Sequence, residues 1–572
     1  MLYTCTLLLI IGVAWVVLRA TSAARHLAVA QSALATTEDR VLEGDALGAR
    51  TALAELQRET QDARDAVSDP VWRLYERLPL LGRTLQVTSG IARACDMMAD
   101  DALPSLVAAA DQLRPERLRP RGDTVAIEPL VTARAPLARA RDGATRALER
   151  VSGLPVRGVI PLVGNVRAEF QDRLGGLAGA LRTAATAAEV APPMLGQAGA
   201  RRYLLAVQTN AEGRATGGLL GAFGVIEVNR GRFRLVEIGT NSELQNTFPR
   251  PAVDVGPEFT SRYRRFAADS FWINANMSPH LPYASTIWLA LFKATRGQQL
   301  DGTIAVDPVA MREMLEVTGP ILMGSRNQLG ADRVVDFTMR EAYSLFKRNE
   351  VRDRVLQAVA EAVYNKVASG AGEPRALIAA MARAAGGGHL QVASAHPAEQ
   401  SLLATTPLGG ELPVAPGPFA QVVTQNAGGN KLDYYLRREV RYALRREGGE
   451  RRSTVSVRLR NTAPRSGLPL YVVGRVDLPG GRARIDGRGR TYLSVYLGQG
   501  ASLLGARLNG QPLAMESELE RGHPVFSTFV EIDPGATLLI ELDVLEGPGG
   551  PDEPVLRAQP MVVPDVVAVS VQ

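Results

Sequence analysis

The chain begins with an uncharged apolar segment and continues with apolar residues at helical spacing. Leu2–Leu18 is 17 residues without a charge, and at about 1.5 Å per residue a helix of this length spans roughly 26 Å, just enough to cross the core of a bilayer. From residue 21 to residue 198, apolar side chains such as Leu53 and Leu56 recur near helical spacing, without runs of β-branched residues. We therefore predict a transmembrane anchor in residues 1–20, followed by a helical bundle or stalk in residues 21–198.

The pattern changes to short apolar runs after these helices. The runs at residues 203–208, 219–228 and 233–238 predict three strands, of which the last two are joined by a hairpin turn. A helix, the short strand Gly-Thr-Ile-Ala-Val and a second helix follow, and Asp307 before a proline is typical of a helix N-cap. We predict a central α/β domain with appended helices in residues 199–400.

Strict alternation of apolar and polar residues marks the last part of the chain. Within Arg452–Arg460 it places Val455, Val457 and Leu459 on one face, and turns rich in Gly, Pro and Asn recur at intervals typical of β-sandwiches. We predict a C-terminal β-sandwich in residues 410–572. The fold class is therefore α+β and multidomain, with an N-terminal transmembrane helix, a helical bundle or stalk, a central α/β domain and a C-terminal β-sandwich.

Composition excludes several classes of function. The 65 basic and 59 acidic residues give a net charge of +6, but the two signs are mixed along the chain, whereas a nucleic-acid-binding protein clusters its basic residues. Two cysteines are too few for a disulfide scaffold or a Cys-based zinc site. The five histidines lack the spacing of metal ligands. We therefore predict no nucleic-acid partner, no metal and no cofactor.

The apolar segment also predicts a location. No second apolar span follows Leu2–Leu18, and large domains cross membranes largely regardless of their charge. We predict a single-pass protein of the cell membrane with the bulk of the chain extracytoplasmic. Residues 20–24 also resemble a peptidase site, so cleavage of the segment as a signal peptide remains an alternative.

The densest polar cluster of the chain lies at residues 208–218. Its candidate ligand-binding residues are Asn210, Glu212, Arg214, Gly217 and Gly218. The cluster follows the first predicted strand, and open α/β sheets bind ligands at the carboxyl ends of their strands. The planar guanidinium of Arg214 suits a phosphate group, although an arginine paired with a neighbouring carboxylate is the simpler interpretation.

Asp301 and Asp307 flank the short strand of the predicted α/β domain and complete the candidate site. Asp301 is most simply a turn residue and Asp307 most simply a helix N-cap, but either carboxylate could hold a divalent cation near a diphosphate. At about 3.3 Å per residue they lie roughly 20 Å apart along an extended strand. They therefore cannot both bind one ion unless the strand bends.

Four stretches carry a recognisable signature: residues 202–218, 276–282, 300–308 and 430–435. Together they resemble the domain-of-unknown-function 4012 family. This resemblance implies an actinobacterial-type, membrane-anchored envelope protein without an established activity. The family commonly carries an aspartate where this chain has His280.

The order of strands and helices is also similar to that of the LytR-CpsA-Psr phosphotransferases. Those enzymes transfer glycopolymers from polyprenyl-pyrophosphate carriers to peptidoglycan. Their Arg-Ser-Asp and Pro-Arg-Asp signatures do not occur here in recognisable form. A divalent cation is expected only if this second resemblance holds.

These observations favour a membrane-anchored extracytoplasmic protein that binds or scaffolds in envelope or polysaccharide assembly. Its expected partners are the lipid bilayer, through Leu2–Leu18, and an envelope glycopolymer or other envelope proteins. The alternative function is a glycopolymer phosphotransferase acting on polyprenyl-pyrophosphate-linked substrates. That alternative requires Arg214, Asp301 and Asp307 to converge on one cleft.

Overall fold

The structure is a computed structural model of the chain. It describes residues 2–43, 45–79, 81–114, 117, 122–244, 248, 250–324, 327–414, 416–481 and 487–571. The chain divides into two compact units: the first comprises residues 1–119 and 125–197, and the second comprises residues 120–124 and 198–572. The predicted α+β class is confirmed, because helices and several multi-stranded sheets are both present.

The first unit is built from helices with alanine-rich contact faces. Ala63, Ala140 and Ala147 are fully buried, so neighbouring helices approach closely, and alanine also has the highest helix propensity. A π-helical turn, Met98–Ala102, connects the α-helices Gly82–Met97 and Leu103–Gln112. The helices are α1 (Leu2–Glu43), α2 (Ala46–Ala66), α3 (Pro70–Tyr75), α4 (Gly82–Met97), α5 (Leu103–Gln112), α6 (Glu128–Ser152) and α7 (Pro161–Met194).

The predicted anchor forms the beginning of α1. The side chains of residues 2–10 lie outside the described part of the structure. In the part that is described, no helix combines the length and the apolar character that crossing a bilayer requires. The transmembrane role of Leu2–Leu18 therefore stays a prediction.

A mixed five-stranded sheet forms the centre of the second unit. Its strand order is β3-β2-β1-β4-β7, in which β1 and β4 are parallel and the other neighbours are antiparallel. Arg230 and Gly231 form the two-residue turn between β2 and β3, both with positive φ, as the predicted hairpin requires. The strands are β1 (Arg201–Arg214), β2 (Gly217–Asn229), β3 (Arg232–Thr240), β4 (Gly302–Val306) and β7 (Leu390–Ser394), and β5 (Ile321–Met323) and β6 (Asn327–Leu329) form a separate hairpin.

The first strand is longer than the sequence predicted. The apolar pattern ended it at Gln208, whereas β1 continues to Arg214 and pairs with β2 through two irregularities, one after Val207 and one after Thr209. The polar cluster therefore lies within a strand rather than in a loop beyond it. Its polar residues are tolerated there because side chains from distant parts of the unit bond to them.

Helices cover the central sheet. Trp272 and the helix that carries Trp288 and Phe292 form a fully buried apolar cluster with Phe223 of β2. Residues 346–348 are extended or irregular and separate two of these helices. The helices are α8 (Pro257–Tyr263), α9 (Leu281–Arg296), α10 (Pro308–Thr318), α11 (Ala331–Asp336), α12 (Ala342–Leu345), α13 (Asn349–Ala368), α14 (Pro374–Gly386) and α15 (Pro397–Leu403).

Two further sheets pack face to face in the remainder of the second unit. Val455, Val457 and Leu459 are fully buried between them, as their alternation predicted. The sheet orders are β13-β12-β16-β10-β9-β18 and β14-β15-β11-β8-β17. The elements are β8 (Phe419–Asn426), β9 (Leu436–Glu447), β10 (Glu450–Asn461), α16 (Leu470–Val473), β11 (Gly489–Leu497), β12 (Ser502–Leu508), β13 (Gln511–Pro512), β14 (Glu516–Glu520), β15 (His523–Ile532), β16 (Thr537–Leu545), β17 (Val555–Arg557) and β18 (Val566–Val571).

Candidate functional site

Arg214, the predicted anion clamp, is a buried structural residue. Its Nε donates to the carbonyl of Ile273 at 3.2 Å, and its Nη1 donates to the carbonyls of Gly213 and Asn426 at 3.0 and 3.2 Å. Its Nη2 donates to Oδ1 of Asn274 at 3.0 Å. Burial lowers the pKa of the guanidinium from its ordinary value. The expectation of a phosphate ligand at Arg214 is therefore unsupported, because protein oxygens take up its donors.

Glu212 forms an ion pair with Lys431. The Lys431 ammonium donates to Oε1 of Glu212, and both side chains are largely buried. Burial acts to lower the pKa of Lys431, but the Glu212 carboxylate and the side chains of Tyr343 and Tyr471 together raise it above its ordinary value. The pair joins β1 to the connection between β8 and β9, so the central sheet and the sandwich share a buried charge pair.

Asp433 makes a second link between β1 and the same connection. Its Oδ2 accepts from the backbone amide of Gly213 at 2.7 Å and from Nδ2 of Asn426 at 3.1 Å. Burial raises the pKa of Asp433 to about 6, against the effect of these donors and of Arg214. The carboxyl group therefore changes charge within the range in which protein stability is readily measured.

This raised pKa predicts a pH-dependent effect of Asp433→Asn. Because the folded-state pKa is about 6 and the ordinary value is 3.8, the folded protein binds more protons than the unfolded chain between these values. The stability that Asp433 contributes is complete below about pH 4 and is lost as the pH rises through about 6. Relative to the wild type, Asp433→Asn should gain melting temperature from pH 4 to pH 7, as measured by thermal unfolding. A constant difference across this range would contradict a raised pKa.

Gly217 and Gly218 are required by close packing. A Cβ on Gly218 would lie 2.0 Å from the carbonyl oxygen of Thr209, and Gly217 has a φ of +141°. Beside them, Oε1 of Gln208 accepts from the Thr216 hydroxyl at 2.8 Å. The glycines thus allow the turn into β2 to close against β1. This packing explains why glycine stands at both positions without invoking a ligand.

Asp301 and Asp307 lie at opposite ends of β4 and have different partners. Asp301 accepts from Nη1 of Arg201 at 2.9 Å and from the amide of Arg202 at 2.8 Å. It is also bonded to His396. Asp301 therefore ties the start of β1 to the start of β4.

Asp307 is the predicted N-cap of α10, and this prediction is confirmed. Its Oδ1 accepts from the amides of Val309 and Ala310 at 2.9 and 3.1 Å. Its Oδ2 accepts from Nδ2 of Asn210 at 2.8 Å and lies 2.7 Å from Nδ1 of His389. The structure thus brings Asn210 and Asp307 into contact. Asp301 does not join them, because it lies at the other end of β4. Across the described residues, no group of three His, Cys, Asp or Glu side chains could hold a metal ion.

Two cavities lined by described residues differ in chemistry. The larger, about 740 Å³, lies among helices α1, α2, α4, α5 and α7, and its lining is mainly apolar. The smaller, about 120 Å³, lies in the second unit beside β1 and is lined by polar and charged side chains as well as apolar ones. The smaller cavity, which we call the β1 pocket, is the better candidate for specific recognition. Its polar lining includes Gln208, Thr209, Glu212, Asn241, Tyr343, Arg352, Asp353, Lys431 and Tyr471.

Arg352 gives the β1 pocket a buried cation with one unpaired hydrogen-bond donor. Its side chain is only 2% exposed, and its guanidinium carbon lies 3.8 Å from the ring centroid of Tyr471. Its Nη2 donates to Oδ1 of Asp353 at 3.2 Å, but its buried Nε has no hydrogen-bond partner among the described residues. A buried donor without a partner costs about 1–3 kcal/mol, so a bound acceptor would relieve that cost.

Two tyrosines connect Arg352 to Lys431. The rings of Tyr343 and Tyr471 stack with centroids 5.7 Å apart, and the Lys431 ammonium lies 4.5 Å from the Tyr471 ring. Cations are attracted to aromatic faces, more strongly when desolvated. The rings therefore hold two positive charges in one small pocket.

Sequence reasoning missed most of the pocket. Arg352, Tyr343 and Tyr471 come from three separate helices and carry no local motif. Lys431 lay in a recognised stretch but was not predicted as a site residue. One signal was present: only four of the 65 basic residues are lysines, so a lysine within a recognised stretch stands out in this arginine-rich chain.

These features define an α+β protein with a buried polar junction and a small pocket lined by two pairs of opposite charges. Residues 198–343 match the family described as "Protein of unknown function (DUF4012)", which confirms the first resemblance for that range. The resemblance to LytR-CpsA-Psr phosphotransferases is not shown. No curated protein and no solved structure matches the chain.

Proposed function

We propose that the protein is a membrane-anchored binding protein that holds a small anionic group in the β1 pocket. The proposal is carried by Arg352, a residue that lines this pocket and whose buried Nε has no partner among the described residues. Arg352 presents a planar donor group that suits phosphate and carboxylate oxygens. Asp353 takes up only one of its nitrogens and is itself one-third exposed, so donors remain for a ligand.

The buried contacts of the signature residues favour binding over catalysis. Glu212 is bonded to Lys431, Asp307 caps a helix, and Arg214 donates to four protein oxygens. A catalytic group has to reach the reacting atoms of a substrate. The hydrogen bonds and ion pairs of these residues instead stabilise the second unit, in which the central sheet contacts the two sandwich sheets.

The phosphotransferase alternative is not supported by the positions of its three residues. Asp301 and Asp307 bond to different partners at opposite ends of β4, and Arg214 bonds to a third set. A phosphoryl-transfer site needs cationic and acidic groups around one diphosphate. We therefore do not propose this reaction for the protein.

The proposed location is the extracytoplasmic face of the cell membrane. The uncharged segment Leu2–Leu18 supports an anchor. In that setting, phosphate or carboxylate groups of an envelope glycopolymer, or of another envelope protein, are the partners that the pocket suits.

Anion binding by the β1 pocket can be measured directly. Thermal unfolding of the wild type should show a saturable rise in melting temperature with inorganic phosphate or with glucuronate, because either anion accepts from Arg352. Arg352→Gln should weaken that binding about tenfold to hundredfold, as expected for the loss of a charge-assisted hydrogen bond. Comparing the two probes distinguishes a phosphate ligand from a carboxylate ligand.

Arg354→Gln is the matched control for this experiment. Arg354 lies two residues further along α13 and is exposed, so its replacement should leave the anion response unchanged. The proposal fails if neither probe produces a saturable shift in the wild type. It also fails if Arg352→Gln and Arg354→Gln respond like the wild type.

A further inference from the structure

Two segments of the helical unit expose large apolar side chains. The first is α3 with its connection to α4, and the second is the connection into α7 with the first turn of α7. Isolated exposed apolar residues are normal on protein surfaces, but a contiguous group marks an interaction site. The most exposed members are Leu74 at 61%, Val156 at 72% and Leu162 at 73%. We call the group the apolar collar, and it comprises Val71, Leu74, Leu78, Leu81, Val156, Ile160 and Leu162.

The two connections lie side by side. Nη1 of Arg83, at the start of α4, donates to the carbonyl of Arg157 at 3.0 Å. The backbone amide of Ile160 donates to the hydroxyl of Thr84 at 3.1 Å. The exposed apolar residues from both connections therefore belong to one region of the helical unit.

The collar lies beside the predicted membrane segment of α1. Asp69, the N-cap of α3, accepts from Nε of Arg19 at 3.0 Å and from Nε1 of Trp15 at 3.3 Å. Gly12 lies directly against Tyr75, since a Cβ on Gly12 would be 1.9 Å from the Tyr75 hydroxyl oxygen. Helix α3 is therefore level with residues 12–19 of α1.

This level overlaps the segment that would cross the membrane. From Gly12 to Leu18 a helix rises about 9 Å, so α3 lies within roughly that distance of the end of the predicted span. On the same part of α1, Ile11, Trp15 and Leu18 are exposed. Amphipathic elements insert about 5–10 Å into the boundary between headgroups and acyl chains, which is the depth that this geometry gives α3.

Exposed arginines surround the collar. They are Arg73, Arg77, Arg83 and Arg157. Within residues 70–83 and 153–165 the sequence contains a single acid, Glu76, whose Oε1 accepts from Nε1 of Trp72 at 3.1 Å and from the hydroxyl of Ser89. A basic residue near an anionic membrane surface contributes about 1 kcal/mol to binding.

We propose that the apolar collar is a bilayer-contact surface. Its leucine, isoleucine and valine side chains insert between lipid headgroups, and the four arginines bind the phosphates of anionic lipids. The proposal rests on the proposed membrane anchor, because Leu2–Leu18 sets the depth of α3. A bilayer is the occupant that this position favours over a protein partner, since lipid surrounding Leu2–Leu18 would already reach this level.

A lipid-quenching experiment on the full chain tests this contact. Leu162→Cys is prepared with Cys5→Ser and Cys95→Ala, labelled with a polarity-sensitive fluorophore and reconstituted into vesicles of phosphatidylcholine and phosphatidylglycerol. Nitroxide-labelled lipid should quench the fluorophore at residue 162 several-fold more than at the matched control Leu47→Cys. Leu47 is 77% exposed and lies in the first turn of α2. The 24 residues of α1 between Arg19 and Glu43 rise about 36 Å, so this control position is far from the collar.

The outcomes separate the collar from the anchor. Co-flotation with vesicles together with equally weak quenching at residues 162 and 47 overturns the collar and leaves the anchor intact. Absence of co-flotation overturns the anchor and, with it, the collar that depends on it. If quenching at residue 162 is strong and remains unchanged in pure phosphatidylcholine, the four arginines do not bind anionic lipids as proposed.

Discussion

Replacing Arg214 by alanine should lower the free energy of unfolding of the second unit by about 3–5 kcal/mol, as expected when one partner of a buried charged network is removed. The substitution leaves the carbonyls of Ile273 and Asn426 without a buried donor. It also removes a positive charge that interacts with both Asp433 and Glu212. Denaturant-induced unfolding, followed by amide exchange in β1, measures the change.

Arg202→Ala is the control for this variant. Arg202 lies on the same strand, but its side chain is 47% exposed and pairs with Glu227, and exposed pairs contribute about 0–1 kcal/mol. If Arg214→Ala is as stable as Arg202→Ala, Arg214 is not the structural residue described above. An anion-binding role for Arg214 would then regain support.

Glu212→Ala should destabilise the protein by a similar amount, about 3–5 kcal/mol. The reason is that Lys431 keeps its charge in a largely buried position while losing the carboxylate with which it forms an ion pair. The tyrosine rings beside Lys431 compensate only in part, because cation–π contacts contribute about 0.5–2 kcal/mol. Chemical denaturation at neutral pH measures the loss.

Removing both charges separates ion pairing from packing. The double variant Glu212→Gln with Lys431→Met should recover most of the stability lost in Glu212→Ala, because no buried charge is left unpaired. If the double variant is less stable than Glu212→Ala, the lysine has another essential partner. That result would contradict the ion pair as the reason for the destabilisation.

Local signals predicted the secondary structure where the chain provides its own partners. The N-cap at Asp307 and the hairpin turn at Arg230 depend on residues within a few positions, and both have the expected geometry. The alternation of Val455 and Val457 predicted their burial for the same reason. Such features need no knowledge of the rest of the fold.

The polar half of β1 could not be predicted in this way. Residues 208–214 lack the apolar pattern of a buried strand, so the sequence indicated a ligand-binding loop. In the structure their partners lie far along the chain: Lys431 is 219 residues from Glu212, and Asp433 is 220 residues from Gly213. A buried polar strand is stable only with such partners, and single-sequence patterns do not reveal which distant segments meet.

The candidate pocket was hidden for a related reason. Arg352 precedes an acid on an amphipathic helix, which is the ordinary setting of a solvent-exposed arginine. Its burial depends on Tyr343 and Tyr471, which belong to other helices. The predicted site and the observed pocket therefore share Glu212 but differ in the residue that would contact an anion.

The central claim is that buried polar contacts join β1 and the β8–β9 connection into one cooperative structure. Hydrogen exchange at increasing denaturant, read by mass spectrometry on peptides from β1 and from β8, tests it most directly. The account predicts that both peptides lose protection at the same denaturant concentration, and that Glu212→Ala shifts both midpoints together. Separate midpoints for the two peptides, or a shift confined to one of them, would contradict the claim.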